Sequence, residues 1–144
     1  MVLTFQVTFD CADPDRLAHF WARALGYKLQ DPPHGFDTWD AFLDTIGVPE
    51  EKRRDASAVI DPEGKGPRMY FQRVPEPKTA KNRVHLDLRI GGGPQTQLAE
   101  RRAQIDAAVE RLVALGATVV GPVEQYGHYC VVLRDPEGKE FCAD

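Results

Sequence analysis

The sequence predicts an α+β fold built from two tandem βαβββ modules. The first observation is a repeated tetrapeptide, because Asp-Pro-Glu-Gly stands at 61–64 and again at 135–138. Each copy lies between two strand-like segments, and Pro followed by Gly favours a tight turn. The second observation is that each half contains an amphipathic helix ending in Leu-Gly, at 25–26 and at 115–116. The third is an alternating strand at the start of each half. Elements that recur in the same order indicate a duplicated module.

The elements of the first module follow from local patterns. Apolar residues alternate over 5–10, which is typical of a half-buried strand. Asp13 and Pro14 are suited to the N-cap and first turn of a helix, and apolar residues at helical spacing follow. Gly26 stands where a helix commonly ends. The three remaining strands of this module are predicted at 27–30, 58–61 and 68–74.

A long insertion separates the second and third strands. It covers roughly residues 31–56, far more than the 2–6 residues of an ordinary connection, and loops of this length tend to be functional or disordered. A short helix is predicted within it at 39–46, and a charged segment follows. We expect the insertion to act as a lid whose apolar inner stripe is Trp39, Phe42 and Ile46.

The second module repeats this plan. Residues 84–89 alternate strictly, and a helix with apolar residues at Ile105 and Leu112 follows a Gly-Gly-Gly-Pro connector. That connector has neither of the glycine spacings that cradle phosphates. Its three remaining strands are predicted at 118–123, 129–133 and 140–142. The length indicates a single domain, 1–144, with module one at about 1–78 and module two at about 79–144.

Composition limits the classes of function. The net charge is −4 and no basic stripe is present, which argues against nucleic acid as a partner. No apolar run approaches the roughly 18 residues of a membrane span, so no membrane partner is expected. The three cysteines show no paired spacing, which favours a reducing, cytoplasmic location over a disulfide framework.

Polar side chains share one face of each opening strand. Gln6 begins this face in module one, and His85 takes the same relative position in module two, followed by Asp87. One interpretation is that this face simply meets water, as in many half-solvated sheets. The other is that duplication curls the sheet, so that the polar face lines a concave site for a metal or a small polar ligand.

Several short motifs, in order, resemble the vicinal oxygen chelate superfamily, the group of glyoxalase I, bleomycin-resistance proteins and extradiol dioxygenases. They cover nearly the whole chain and are most similar to small bacterial glyoxalase-like domains. The motifs stand at 10–14, 20–21, 25–26, 72–78, 81–88 and 134–142. The resemblance implies that the two modules form a cup-shaped mixed β-sheet with the helices outside.

The resemblance also implies where a metal would be held, on the first and last strands of each module. The equivalent positions here are Gln6, Gln72, His85 and Cys142. The usual carboxylate ligands are missing from this set, and hard divalent ions depend on such ligands. We therefore expect no cofactor, with a divalent metal (Zn, Ni, Mn or Fe) as the alternative.

Two functions follow. One is the binding of a small organic molecule in the cup, with Gln6, Gln72, Asp87, Trp39 and Tyr129 as ligand-binding residues. The other is a metal-dependent lyase, isomerase or dioxygenase acting on vicinal oxygens. His85 and Glu140 are the candidate catalytic residues, with Glu140 as a base if burial raises its pKa. The resemblance further implies a homodimer.

Overall fold

The computed structural model describes all 144 residues of the chain. The chain divides into two compact units, Met1–Pro77 and Lys78–Asp144, which we call module one and module two. Module one contains β1 (Val7–Cys11), α1 (Pro14–Leu25), β2 (Lys28–Leu29), α2 (Trp39–Thr45), β3 (Ala56–Ile60) and β4 (Met69–Arg73). Module two contains β5 (Asp87–Leu88), α3 (Leu98–Leu115), β6 (Thr118–Gln125), β7 (His128–Arg134) and β8 (Glu140–Ala143).

Each module has one four-stranded mixed sheet, and the two sheets have the same topology. Their strand orders are β1-β4-β3-β2 and β5-β8-β7-β6. In each sheet the first and last strands of the module are parallel, and the other pairs are antiparallel. The α+β fold of two tandem βαβββ modules predicted from the repeats is therefore confirmed. None of the helices combines the length and the apolar character that crossing a membrane requires.

Helix α1 covers one face of the first sheet. Its N-terminus is capped by Asp13, whose carboxylate accepts the Arg16 backbone N–H at 3.1 Å, as the sequence predicts. Trp21 is 1% exposed, and its ring centroid lies 5.5 Å from that of Phe9. Phe9 in turn stacks on Phe71 of β4 at 5.3 Å. The opposite face of the sheet, which carries Thr8, is not covered by α1.

Helix α3 covers the equivalent face of the second sheet. Ile105 and Leu112, the centre of its predicted apolar stripe, are both fully buried. Leu133 of β7 and Phe141 of β8 are buried beneath the helix with them. Because side chains alternate along a strand, burial of Phe141 leaves Glu140 and Cys142 on the other face of the sheet.

The repeated tetrapeptides form turns that their aspartates hold together. Asp61 accepts backbone N–H groups from Glu63, Lys65 and Gly66 at 2.7 to 3.0 Å. Those hydrogen bonds, with the Gly66 bond contributing most, lower the pKa of Asp61. Asp135 accepts the Glu137 N–H at 2.9 Å and is itself only 3% exposed. The strand registers make the first turn two residues longer than the second.

Candidate functional site

The insertion of module one folds into a fixed structure next to the sheet. Thr38 caps α2 by accepting the Ala41 N–H at 3.1 Å. The Trp39 indole N–H donates to the Gln30 carbonyl oxygen at 2.8 Å, which ties the start of α2 to the end of β2. Beyond α2, Arg53 donates to the Val48 carbonyl at 3.1 Å. At the end of the segment the Arg73 backbone N–H of β4 donates to the Asp55 carbonyl oxygen at 2.8 Å, so the segment is anchored at both ends.

This segment and the open face of the first sheet enclose a cavity of about 650 Å³. Small side chains and an aromatic ring lie on the sheet side. The insertion contributes apolar side chains and also charged ones, namely Asp40, Lys52, Arg53, Arg54 and Asp55. The principal residues are Ala56, Ala58 and Tyr70 on the sheet, and Trp39, Leu43 and Val48 on the insertion. Trp39 is 36% exposed, and its role in binding a ligand stays a prediction.

The inner stripe of the insertion differs from the one expected. Ile46 is 57% exposed and does not line the cavity, whereas Leu43, one turn after Trp39, does. Phe42 packs inside the insertion, with its ring centroid 5.3 Å from that of Phe36 and 5.9 Å from that of Trp39. The difference arises because α2 ends at Thr45, so Ile46 falls outside the helical face used to predict the stripe.

Arg68 places a positive charge at the edge of this cavity. Its Nε donates to Gln30 Oε1 at 2.7 Å, and its Nη1 donates to Gln6 Oε1 at 2.9 Å. Its Cζ lies 5.2 Å from the centroid of the Tyr70 ring, within cation–π distance. Both acceptors are neutral amides, and no carboxylate lies within ion-pair distance of Arg68. The guanidinium is thus oriented without being neutralised.

Gln6 and Gln72, the two predicted site residues on the sheet of module one, lie apart. Gln72 pairs with Asp10 across the strands and donates to its carboxylate at 2.7 Å. Gln6 precedes β1, four residues before Asp10, which corresponds to about 13 Å along a strand. The only oxygen of the Gln6 side chain accepts the hydrogen bond from Arg68. These two side chains do not form a common ligand set.

The strand registers identify a position that the sequence analysis missed. Cys142 of module two is the parallel partner of Asp87, and the matching pair in module one is Thr8 with Tyr70. Tyr70, rather than Gln72, therefore corresponds to Cys142, and Arg68 corresponds to Glu140. The shift arises from the two extra residues of the first turn. Counting the residues between each repeated tetrapeptide and the strand that follows it would have revealed this shift.

Module two brings together three of its predicted residues. The ligand atoms of His85, Asp87 and Cys142 lie within 4.8 Å of one another. His85 Nε2 is 3.3 Å from Asp87 Oδ1. Burial first, and the Asp87 charge second, raise the pKa of the Cys142 thiol to about 12. In the absence of a cation, this thiol stays protonated.

Glu140 lies on the same face as Cys142, but its surroundings differ from those predicted. Its Oε2 accepts the Asn82 backbone N–H at 2.9 Å, and Lys78 Nζ lies 3.1 Å from the same oxygen. The Asn82 hydrogen bond, together with Lys78, lowers the pKa of Glu140 to about 2. The condition for a role as base, a pKa raised by burial, is therefore not met, because these donors outweigh desolvation. A carboxylate with so little proton affinity is a weak general base at neutral pH.

Tyr129 lies on the opposite face of the second sheet from Cys130 and Cys142. It is 5% exposed, and its hydroxyl donates to Asp106 Oδ1 of α3 at 2.6 Å. The Arg102 guanidinium lies 4.5 Å from its ring centroid. The hydrogen bond to Asp106 is the main cause of its raised pKa. Both the hydroxyl and the ring of Tyr129 therefore contact side chains of helix α3.

Comparisons with known proteins agree with this fold. A family model described as "Glyoxalase-like domain" matches residues 6–143. A glyoxalase/bleomycin resistance protein/dioxygenase family enzyme from Burkholderia phytofirmans PsJN is 18% identical, with a TM-score of 0.62 and coverage of 96% of this chain and 94% of that chain. The fosfomycin resistance protein FosX from Mesorhizobium loti is 13% identical, with a TM-score of 0.63 and coverage of 99% and 91%.

A FosX mutant from Listeria monocytogenes, solved with Mn(II) and 1S,2S-dihydroxypropylphosphonic acid, is 12% identical, with a TM-score of 0.61 and coverage of 99% of this chain and 90% of that chain. At such identities these structures show a shared fold alone. No curated protein sequence matches the chain. The match of the family model over nearly the whole length, together with the duplicated βαβββ topology, shows that the chain belongs to the glyoxalase-like domain family of the vicinal oxygen chelate superfamily.

Proposed function

We propose that this protein binds a small amphipathic organic anion in the cavity of module one, without the divalent metal of its superfamily. The observation that carries the proposal is the un-neutralised Arg68 guanidinium at the edge of a largely apolar cavity. The volume of about 650 Å³ lies within the range of known small-molecule sites. Apolar walls with a few oriented polar groups are the usual construction of such sites.

The cavity offers two kinds of contact. Trp39 and Tyr70 supply flat aromatic surfaces on opposite walls, and Ala56 and Ala58 leave room between them. Arg68 can donate hydrogen bonds to a carboxylate, sulfonate or phosphonate through the N–H groups that Gln6 and Gln30 do not use. Because the two amides already fix the orientation of the guanidinium, little side-chain entropy is lost when the anion binds. A flat molecule with one acidic group satisfies both contacts.

The donors of module one do not fit the metal that the superfamily implies. The oxygen of Gln6 is bonded to Arg68, and the position equivalent to Cys142 holds Tyr70 next to the same guanidinium. A cation placed there would meet a fixed positive charge and find no carboxylate, the ligand that hard divalent ions require. We therefore assign no step of the function of module one to a metal.

Two fluorescent compounds test the proposal. Anilinonaphthalene sulfonate carries an aromatic surface and one anionic group, and N-phenylnaphthylamine resembles it without the charge. We expect Arg68→Gln to weaken binding of the sulfonate about ten-fold, since a hydrogen bond to a charged group contributes about 1.5–3 kcal/mol, and to leave the neutral compound nearly unchanged. Trp39→Ala should weaken both compounds.

The matched control is Ile46→Ala, which removes an exposed apolar side chain just beyond the same helix. It should leave both affinities unchanged. The proposal is wrong if Ile46→Ala and Trp39→Ala have equal effects, because the compounds would then bind to exposed surface. It is also wrong if Arg68→Gln affects the two compounds alike, because the guanidinium would then contribute no recognition of charge.

A further inference from the structure

The cavity of module one reaches the edge of strand β3 as well as its open face. Side chains alternate along a strand, so a cavity that touched one face alone would meet every second residue. Instead, Ala56, Ser57 and Ala58 line the cavity in succession. Three consecutive residues contact one cavity where the backbone edge of the strand is accessible. The edge of β3 is therefore part of the cavity wall.

Strand β2 is too short to cover this edge. It has two residues, and the last bond along its pairing with β3 is from the Gln30 N–H to the Ala58 carbonyl oxygen at 3.0 Å. In the same register Pro32 would stand opposite Ala56, but proline has no N–H to donate. The chain leaves the sheet here as the insertion begins, so the edge of β3 at Ala56 is uncovered.

Ala56 presents one backbone donor and one backbone acceptor at the uncovered edge. The Arg73 N–H donates to the Asp55 carbonyl oxygen at 2.8 Å, so the backbone groups of Asp55 and of Ser57, two residues later, point towards β4. The N–H and the carbonyl oxygen of Ala56, between them, point the other way, and no group of the protein bonds to either. Such a pair is complementary to the carbonyl oxygen and the N–H of a ligand that adds to the sheet as a strand does.

We propose that the anion bound by module one is an N-acylated amino acid with an aromatic side chain, whose amide group pairs with the backbone of Ala56. This inference rests on the proposed function and names the class of the ligand. Gln30 pairs alongside Ala58, about 7 Å along the strand from Ala56, and its side chain accepts the hydrogen bond from Arg68. One amino acid with its acyl and carboxyl groups spans about two residue lengths, so its amide and its carboxylate reach Ala56 and Arg68 together.

The aromatic walls of the cavity determine the side chain of this ligand. A molecule that pairs with the edge of β3 directs its side chain to one face of the sheet, as a residue of a strand does. On the open face that side chain meets the rings of Tyr70 and Trp39. An indole or phenyl group buries apolar surface against both rings, which a small polar side chain does not.

The first test compares three compounds by calorimetric titration of the full chain. N-acetyl-L-tryptophan has the indole, the carboxylate and the amide, and indolepropionate has the same indole and carboxylate without the amide. We expect N-acetyl-L-tryptophan to bind about ten-fold more tightly, since each of two new hydrogen bonds makes a modest net contribution. N-acetyl-N-methyl-L-tryptophan lacks the amide donor and should lose most of this preference.

The second test locates the amide on the protein by hydrogen exchange. The Ala56 N–H should exchange rapidly in the free chain and at least about ten-fold more slowly with N-acetyl-L-tryptophan bound, because it then has an acceptor. The Ser57 N–H, which points towards β4, is the internal control and should exchange slowly in both states. Ala56→Pro removes the edge N–H without removing a bond to β4. It should bring the affinity for N-acetyl-L-tryptophan close to that for indolepropionate.

The outcomes separate pairing with β3 from the proposed function. Arg68→Gln should weaken N-acetyl-L-tryptophan and indolepropionate alike, because both carry the carboxylate. If the wild type binds these two compounds equally and Arg68→Gln weakens both, the anion site stands and the pairing with Ala56 is wrong. The pairing is also wrong if N-acetyl-L-tryptophan does not bind, if N-methylation leaves its affinity unchanged, or if exchange at Ala56 does not slow. The N-methylated compound and the exchange measurement use the wild type, so they decide the question even where Ala56→Pro does not fold.

Discussion

The two modules share one topology but present different chemistry on equivalent faces. In module one that face carries an arginine and a tyrosine. The insertion, roughly residues 31–56, covers it and is far longer than an ordinary connection. In module two the equivalent face carries an acid and a cysteine beside a histidine. The equivalent pairs are Gln6 with His85, Arg68 with Glu140, and Tyr70 with Cys142. The position held by Arg68 in module one and by Glu140 in module two therefore carries opposite charges.

This difference teaches which residues the fold needs. The aspartates of the two turns and the buried faces of α1 and α3 serve the same purpose in both modules, because they determine how the chain folds. The open sheet faces carry no such requirement, so their side chains are free to differ. Each module can then be disturbed separately, and the resulting changes in stability and in binding should not coincide.

The largest effect should come from Glu140→Gln in module two. The depressed pKa of Glu140, about 2, reflects its bonds to Asn82 and Lys78 and corresponds to about 3 kcal/mol of stability at neutral pH. We expect urea unfolding to show a loss of about 2–3 kcal/mol in the free energy of unfolding. The equivalent variant of module one, Arg68→Gln, should lose less, because the hydrogen bond from Arg68 to Gln6 is exposed to solvent. Equal losses would contradict the distinction between the modules.

The same carboxylate gives a pH dependence with a definite sign. The pKa of Glu140 is about 2 in the folded chain, against 4.5 for an unperturbed glutamate, so its stabilisation is fully present above about pH 5 and is lost as the pH falls towards about 2. Wild-type stability should therefore fall across this window, and Glu140→Gln should fall less steeply. The measurement is the urea midpoint at a series of pH values. A variant whose curve parallels that of the wild type would show that Glu140 is not responsible.

A smaller contrast is expected between the two turn aspartates. Asp135→Ala would leave the Glu137 and Lys139 N–H groups without their acceptor in a buried turn. Each buried donor without an acceptor costs about 1–3 kcal/mol. The N–H groups that Asp61 accepts can bond to water in Asp61→Ala, so the melting temperature of this variant should fall less than that of Asp135→Ala. Thermal melts of the two variants compare them directly. A greater loss for Asp61→Ala would show that burial is not what separates the turns.

The smallest effect on stability is expected at the sheet edges. β6 is an edge strand of eight residues with Val119, Val120 and Val123 between 44% and 52% exposed, whereas the corresponding β2 has only two residues. We propose that the protein forms a homodimer through β6, since long apolar edges are usually covered. Light scattering should give a dimer mass for the wild type and a monomer mass for Val120→Lys. A monomeric wild type at micromolar concentration would refute the proposal.

Local sequence patterns predicted the type and order of the elements, although β5 is limited to Asp87–Leu88 where a strand over 84–89 was predicted. The Asp13 cap, the Ile105–Leu112 stripe and the repeated turns depend on residues that are near each other in the chain. The alternation rule likewise placed Glu140 and Cys142 on one face, opposite Phe141. Each of these depends on geometry that a few neighbouring residues determine.

The details of the candidate sites depend on contacts that the sequence pattern does not encode. The low pKa of Glu140 comes from Asn82 and Lys78, some sixty positions away in the chain. The orientation of Arg68 depends on Gln6 and Gln30, which approach only when the four strands of the first sheet pair. Predicting either requires the strand register. The two extra residues of the first turn shifted that register and led to Gln72 instead of Tyr70.

The most direct test of the account is a titration of ¹⁵N-labelled protein with anilinonaphthalene sulfonate, followed by amide and indole chemical shifts. The two tryptophans provide an internal comparison, because Trp39 lines the cavity and Trp21 is buried beneath α1. We expect the largest shifts at the Trp39 indole and at the amides of Ala58 and Tyr70, with the Trp21 indole and the amide of Asp87 nearly unchanged. Shifts centred on Asp87 and Cys142, with Trp39 unaffected, would contradict the claim that the two modules have separate roles.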